Sequence, residues 1–324
     1  MVDEAGTDED WAATRLWVEK SVGQDARVER AVTLRGGWTS RMRRLDVGGE
    51  RPRSVVLRCF VKEFYLRHAA GLLMREADVL TLLARTGVPA ADLIAVDPGA
   101  EHCAHPSLLM SLLPGQVRID AAGAAERAPL LARQLLDIHR VEVDEHDRPR
   151  DYEAWTSPDR VRVPESTRRP GLWQRAVDVI RRQPPAHRPV FLHRDFHPGN
   201  VLFTGTTGAE LRISGVVDWV ETSWGPADLD VAHCSTNLAL LYGTPAGLAF
   251  ADEYVAAGGQ LSPDPLDRLY WRLLDALAFA PDAEKVAVPW RELGRTDLTA
   301  ELVRDRLEDY LQALFEITPA SSFG

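Results

Sequence analysis

The sequence predicts an α+β protein in which a small antiparallel sheet-rich lobe precedes a larger, mainly helical lobe. Short apolar segments separated by glycine turns dominate the first third of the 324-residue chain. After Gly115 the apolar residues recur at helical spacing instead. We therefore place the N-terminal lobe at residues 1–113, a hinge near 109–115 and the helical lobe at 114–324.

Alternating apolar residues predict the strands of the first lobe. In the third of these strands, Val55 and Leu57 lie on one face, whereas Arg58 lies on the other. Glycine pairs at 36–37 and 48–49 predict the turns between strands. The predicted elements are strands at 28–34, 39–47, 54–61, 93–96 and 107–112 and a helix at 72–84.

The second lobe is predicted to combine helices with short strands. Residues 231–251 contain no Asp, Glu, Lys or Arg and are long enough to span a bilayer. Their polar residues and the turn at Gly243 predict two buried helices that meet at a turn instead. Residues 142–170, rich in Arg, Asp and Pro, predict an exposed excursion. Further helices are predicted at 129–141, 172–182, 266–279 and 298–315, and short strands at 190–192, 201–203, 211–213 and 216–217.

Composition excludes several classes of protein. With 48 Asp and Glu against 38 Lys and Arg, the formal charge of −10 argues against nucleic acid or an anionic membrane as a partner. Three scattered cysteines (Cys59, Cys103 and Cys234) show no metal or disulfide spacing, and the acidic N-terminus is unlike a signal peptide. We therefore expect a cytoplasmic protein with reduced thiols, as a monomer or a homodimer.

The most informative segment is the His193–Asn200 loop, H-R-D-F-H-P-G-N, which lies between two short apolar strands. It presents Asp195 and, five residues later, Asn200, and Asp218 ends an apolar segment further along the chain. Carboxylate and amide oxygens suit a hard cation such as Mg²⁺ when phosphate supplies the other ligands. Asp195 is then left to accept a hydroxyl proton. This division of roles predicts phosphoryl transfer from a nucleoside triphosphate to a hydroxyl group.

An alternative for the same loop is a transition-metal site. His193, Asp195 and His197 alternate, so on an extended strand they would share one face. The Pro198-Gly199 turn follows at once, and no second cluster of His or Cys completes a ligand shell. A metallohydrolase is therefore the less favoured interpretation.

Together with W-G-P-A-D-L-D-V-A at 224–232, this pattern resembles the aminoglycoside phosphotransferase and choline kinase-like family of small-molecule kinases, over roughly residues 25–280. The resemblance implies the two-lobed protein-kinase-like fold and a catalytic role for Asp195, supported by His193. It implies that Asn200 and Asp218 bind Mg²⁺. It also implies that Asp230 braces the loop from a helix start, with Asp228 as the other candidate.

The resemblance also implies a nucleotide site in the first lobe. Gly36 and Gly37 would cover the phosphates with backbone N–H groups. Arg58 stands where the commonest kinases have a lysine and would pair with Glu76; Lys62 is the fallback for Arg58. Backbone groups that would bind the purine of ATP or GTP belong to Met110, Ser111 and Leu112.

The acceptor is the open question. The sequence favours an aminoglycoside or another hydroxylated antibiotic, and the alternative is a metabolic sugar, amino alcohol or homoserine-like substrate. A protein kinase is disfavoured because only six residues separate Asp218 from Gly225, and an inactive nucleotide-binding scaffold is the alternative from another class. Carboxylates available for a cationic acceptor are Asp267, Asp275, Asp282, Glu284 and Glu292, and aromatic rings available for stacking are Trp155, Tyr270, Trp271 and Trp290.

Overall fold

A computed structural model describes residues 8–34, 40–281 and 283–319. The chain divides into two compact units. The first comprises the chain up to Gly115 together with Gly215–Val220, and the second comprises residues 116–214 and 221–324. The sequence had assigned residues 215–220 to the helical lobe. They belong to the first unit because the chain returns there within strand β9 (Arg212–Val216), whose last residue donates its N–H to the carbonyl of Pro89 at 2.8 Å.

The first unit is built on a five-stranded antiparallel sheet of order β1-β2-β3-β5-β4. Its third strand is central, with Val55 and Leu57 in the core, and both faces of this strand are buried from Val55 to Cys59. All five predicted strands are present. The elements are α1 (Asp8–Val22), β1 (Arg27–Leu34), β2 (Arg41–Gly48), β3 (Arg53–Cys59), α2 (Glu63–Leu83), β4 (Leu93–Asp97) and β5 (Ser107–Ser111).

Two helices of this unit differ from the prediction. The sequence did not predict α1, because the start of this helix is acidic and polar. Val18 of α1 is nevertheless fully buried against the sheet core. Helix α2 begins at Glu63, well before the predicted Leu72. The prediction missed its first turns because they are largely exposed and show no apolar stripe. Its buried face includes Leu73, Glu76 and Leu80.

The second unit is mainly helical, with two small sheets. Strands β6, β8 and β9 form one of them in that order, and β7 pairs antiparallel with β10 in the other. The elements are β6 (Gln116–Val117), α3 (Ala124–His139), α4 (Pro170–Ile180), β7 (Pro189–Leu192), β8 (Val201–Thr204), β9 (Arg212–Val216), β10 (Ser223–Pro226), α5 (Ala227–Tyr242), α6 (Thr244–Ala256), α7 (Pro265–Leu277), α8 (Glu284–Glu292) and α9 (Ala300–Ile317).

Helix α5 is the central helix of this unit and is buried on almost every side. It ends at Tyr242, and Gly243, with φ of 100°, turns the chain into α6 at Thr244. The prediction of two helices that meet at a turn is thus confirmed, although α6 buries only one face. Within the described residues, none of the helices combines the length and the apolar character that a bilayer crossing requires. Buried polar side chains on α5 instead support the site described below.

Close packing of α5 against α6 depends on Gly247. A β-carbon there would lie 2.5 Å from the Ser235 carbonyl oxygen and 2.6 Å from Cβ of Ala239. We expect Gly247→Ala to lower the free energy of unfolding by about 1–3 kcal/mol through overpacking. Gly71→Ala in α2 is the matched control, because nothing lies within 4 Å of a β-carbon at Gly71. Alanine there should raise the free energy of unfolding by about 0.5–1 kcal/mol. Equal effects of both substitutions in urea unfolding would contradict this packing argument.

Residues 142–170 are mostly exposed, as their composition predicted. Beyond a single helical turn at Glu145–Asp147 they contain no helix before Pro170, but their backbone is held in place. The N–H of Tyr152 donates to the carbonyl of Trp224 at 3.0 Å, and the N–H of Trp224 donates to the carbonyl of Arg150 at 2.8 Å. The open edge of β10 therefore tethers this segment to the second unit.

Candidate active site

The His193–Asn200 loop connects β7 to β8 and is held from below by the first turn of α5. Both carboxylate oxygens of the fully buried Asp230 accept backbone hydrogen bonds, from the N–H groups of His193 and Arg194 at 2.8 Å each. Nε2 of His139 lies 3.3 Å from the same carboxylate. Asp228, the other candidate, accepts instead from the N–H of Ser262 at 3.2 Å. Asp230 therefore fixes the loop backbone, and Arg194 there adopts a left-handed φ of 73°.

Within the loop, Asp195 and Asn200 face each other. The Asn200 side-chain amide donates to Oδ2 of Asp195 at 3.0 Å and to the Asp195 carbonyl at 2.9 Å. His193 is fully buried, and its Nδ1 accepts the Asp195 N–H at 3.2 Å. The Asp195 side chain is 32% exposed, so its carboxylate remains accessible to solvent despite these contacts.

A buried histidine that the sequence analysis did not single out also reaches Asp195. Nε2 of His233, on α5, lies 3.1 Å from Oδ1 of Asp195, and its Nδ1 lies 2.9 Å from Oδ1 of Asp275, on α7. The Thr236 hydroxyl donates to the other oxygen of Asp275 at 2.6 Å. The available signal was a histidine and a threonine in a charge-free, buried helix, where polar groups need partners.

Neighbouring charges shift the pKa values of His233 and Asp195 in opposite directions. Burial by itself would lower the pKa of His233, but the carboxylates of Asp275 and Asp195 raise it to about 9. Burial would raise the pKa of Asp195, but the hydrogen bond from His233 and the charges of the neighbouring histidines bring it well below its usual range. At neutral pH an imidazolium thus links two carboxylates, and Asp195 is ionised.

The raised pKa of His233 predicts a pH-dependent stability. A folded-state pKa of about 9 against an ordinary value of 6.5 means that the contribution is complete below pH 6.5 and is lost as pH rises through 9. We expect the free energy of unfolding to fall by on the order of 2 kcal/mol over that range. Urea unfolding at both pH values measures it. His233→Gln should abolish the difference and the exposed His146→Gln should retain it; an unchanged difference in His233→Gln would refute the assignment.

The loop histidines do not form the metal site that their alternation suggested. His193 lies outside the cluster that could hold an ion, which comprises Asp195, His197 and His233. Nδ1 of His197 accepts the N–H of Gly199 at 3.0 Å, so the ring proton is on Nε2, 3.7 Å from Oδ1 of Asp195. The imidazoles of His197 and His233 therefore direct N–H groups rather than lone pairs at the Asp195 carboxylate. The arrangement favours an ionised carboxylate over a transition-metal site.

In the first unit, Arg58 is the centre of a charged triad. Its Nη1 donates to both oxygens of Glu76 at 2.9 Å and to Oδ1 of Asp218 at 3.1 Å, and its Nε donates to the Ser40 hydroxyl at 3.0 Å. Arg58 and Glu76 are 4% and 2% exposed. Burial raises the pKa of Glu76, and the Arg58 guanidinium opposes that rise. Arg58 thus bridges a buried and a half-exposed carboxylate.

Asp218 is held at an unusual backbone position. It follows β9 with a left-handed φ of 66°, and its side chain is 40% exposed. Trp219, the next residue, is buried and donates its indole N–H to the Val216 carbonyl at 3.0 Å. The strained backbone therefore presents the carboxylate at the surface while Trp219 anchors the turn.

Other predicted residues of the first unit have mixed outcomes. Gly36 and Gly37 lie outside the described residues. Lys62 does not share the strand face of Arg58, as the sequence suggested, because β3 ends at Cys59 and Lys62 precedes α2.

The predicted hinge residues lie at the end of β5. Met110 is buried, the N–H of Ser111 donates to the Asp92 carbonyl at 2.9 Å, and the N–H of Leu112 donates to the Ser54 carbonyl at 3.4 Å. A purine bound there has to use other backbone groups than these two N–H groups.

Three solved structures with the same fold are described as phosphotransferases. A protein of Ralstonia eutropha JMP134, described provisionally as an aminoglycoside phosphotransferase, is 17% identical over 95% of this chain and 98% of its own, with a TM-score of 0.60. A thermostable mutant of aminoglycoside phosphotransferase APH(4)-Ia, in ternary complex with AMP-PNP and hygromycin B, is 17% identical over 93% and 98% (TM-score 0.59). Macrolide 2'-phosphotransferase type I is 20% identical over 98% and 99% (TM-score 0.55). The fold class is therefore the two-lobed, protein-kinase-like fold that the sequence predicted.

The family follows from a sequence model rather than from these distant structures. The model described as "Phosphotransferase enzyme family" matches residues 30–274, about three quarters of the chain. The chain belongs to this phosphotransferase family. No curated protein sequence matches the chain closely enough to count as a relative.

Proposed function

We propose that this phosphotransferase moves the γ-phosphoryl group of ATP or GTP to a hydroxyl group of a small molecule, with a hydroxylated antibiotic as the acceptor. The observation that carries the proposal is the environment of Asp195. This half-exposed carboxylate is oriented by donors from His233 and Asn200, and its pKa lies well below the usual range. A fixed, ionised carboxylate can align a hydroxyl group and accept its proton as the phosphoryl group leaves the donor.

The remaining roles follow from the donor atoms of each residue. Asp218 offers a half-exposed carboxylate. Asn200 offers its amide oxygen as a ligand, because its NH₂ group is the part that donates to Asp195. Both are oxygen ligands of the kind that Mg²⁺ prefers, and bound Mg²⁺ would neutralise phosphate charge. The position of Arg58 between Glu76 and Asp218 supports a role for this guanidinium in orienting the nucleotide phosphates.

The carboxylates of the second unit bear on the acceptor. Asp275 is 4% exposed and paired with His233, Glu284 is paired with Arg291, and Asp267 accepts from the Ser262 hydroxyl. Three of the groups that the sequence offered to a polycation thus already have partners. This supports an acceptor with few positive charges, such as a macrolide-type antibiotic, over a polycationic aminoglycoside.

The same observation keeps a metabolic acceptor as the second candidate. A neutral sugar or an amino alcohol also needs no cluster of carboxylates. The two candidates differ in the scaffold that carries the hydroxyl group, which turnover on defined compounds distinguishes.

The experiment is a turnover screen with purified protein, Mg²⁺ and either ATP or GTP. Nucleoside diphosphate release is measured against macrolides, aminoglycosides, sugars and amino alcohols, and mass spectrometry identifies the phosphorylated product. We expect product with a macrolide or another weakly charged antibiotic. Metal-dependent nucleotide binding without turnover on any acceptor would instead indicate the inactive scaffold, and the absence of nucleotide binding would contradict the proposal altogether.

A further inference from the structure

We propose that Asp275, on α7, is a positioning residue for phosphoryl transfer and acts on the Asp195 carboxylate through His233. The link between the two carboxylates is the His233 imidazole. Its Nδ1 lies 2.9 Å from Oδ1 of Asp275, and its Nε2 lies 3.1 Å from Oδ1 of Asp195. The inference rests on the function proposed above, in which Asp195 aligns the acceptor hydroxyl group. The sequence had offered Asp275 to a cationic acceptor, and its burial argues against that use.

Both oxygens of the Asp275 carboxylate have partners on α5. The Thr236 hydroxyl donates to Oδ2 at 2.6 Å, which leaves Oδ1 to the Nδ1 atom of His233. Thr236 is fully buried. A buried carboxylate needs donors from the protein because solvent cannot supply them. An ionised carboxylate can only accept hydrogen bonds, so Nδ1 of His233 has to carry a proton.

A proton on Nδ1 leaves two arrangements for Nε2 of His233. Nδ2 of Asn237 also lies 3.1 Å from Nε2, and the same amide donates to the His233 carbonyl at 2.9 Å. An unprotonated Nε2 could accept from Asn237 but would turn its lone pair toward the Asp195 carboxylate. The two carboxylates beside the ring favour a second proton instead, since they raise the pKa of His233 to about 9. Nε2 then donates to Asp195.

Two aromatic rings restrict the movement of this imidazole. Phe279, which is itself buried, stacks on the His233 ring with an interplanar angle of 23° and a centroid distance of 6.0 Å. Trp155 meets the same ring nearly at a right angle, with centroids 4.9 Å apart. The donor at Oδ1 of Asp195 is thus held in place while Asn200 donates to Oδ2. Donors at both oxygens fix the carboxylate in one orientation for the acceptor hydroxyl.

The test is a double-substitution cycle on turnover with the acceptor that the screen identifies. Asp275→Asn should lower kcat by about 10- to 100-fold and leave the nucleotide KM within a few-fold, because a misplaced carboxylate affects the reacting groups rather than nucleotide binding. If Asp275 acts through His233, adding Asp275→Asn to His233→Gln should cause no further loss. Glu308→Gln is the matched control: Glu308 is also a buried helix carboxylate that accepts a ring N–H, from Trp173 at 3.0 Å, and this variant should keep its kcat.

Nitrogen NMR of histidine-labelled protein at pH 7 gives a readout that does not depend on turnover. The His233 signals are those that disappear in His233→Gln, and the wild-type protein should show both ring nitrogens protonated. An unprotonated Nε2 overturns the proposal, as do losses in kcat that multiply in the double variant or a loss in Glu308→Gln equal to that in Asp275→Asn. Absence of turnover on every acceptor counts against the proposed function instead, so the two failures are distinguishable.

Discussion

Asp195→Asn is expected to lower turnover by about 10²–10⁴-fold. The amide oxygen can still accept the hydrogen bond from His233, although the new NH₂ group then faces the Asn200 donor. The backbone hydrogen bonds to Asp230 should keep the loop in shape. The amide cannot accept a proton from the substrate hydroxyl, and it removes the negative charge that aligns that group. Steady-state kinetics on whichever acceptor the screen identifies would measure the loss, which should appear in kcat while nucleotide affinity changes little.

Asp228→Asn is the matched control for this substitution. Asp228 is a partly buried aspartate near the start of α5, but it accepts from Ser262 rather than contacting the loop. Its amide variant should retain turnover within a few-fold. Near wild-type turnover in Asp195→Asn, or an equal loss in both variants, would contradict the role proposed for Asp195.

Arg58→Met is expected to lower the free energy of unfolding by about 3–5 kcal/mol. Glu76 is only 2% exposed, so the substitution leaves a buried carboxylate without its guanidinium partner. Asp218 suffers less because its side chain is 40% exposed and solvent can replace the lost contact. Urea unfolding gives the stability change, and turnover should fall as well because Arg58 is proposed to orient the nucleotide phosphates.

A double variant separates these two effects. Arg58→Met with Glu76→Leu removes both buried charges and should recover most of the stability, but it should not recover turnover. Arg44→Met is the control: its exposed ion pair with Asp46 on β2 should contribute less than about 1 kcal/mol. If Arg58→Met unfolds like Arg44→Met, or if the double variant regains turnover, the proposed dual role of Arg58 is wrong.

Much of the first unit could be predicted because strands carry a local signal. Residues 54–61 are mostly apolar, and β3 lies at the centre of the sheet with both faces buried from Val55 to Cys59. Helix α1 escaped prediction because its burial rests on few apolar contacts, of which Val18 is the deepest. Residues 142–170 are mostly exposed, as predicted, but the hydrogen bonds that join them to β10 link distant segments and leave no local signal in the sequence.

The sequence alone determined the loop that presents Asp195 and Asn200 and the strand that carries Arg58, because spacing along the chain decides which neighbours share a turn or a face. Only the tertiary structure decided what surrounds these residues. His233 contacts Asp195 from 38 residues away, and Asp275 contacts His233 from a further 42. Glu76 and Asp218 contact Arg58 from 18 and 160 residues away. Ionisation depends on burial and on the charges within a few ångströms, and the folding of distant segments sets both.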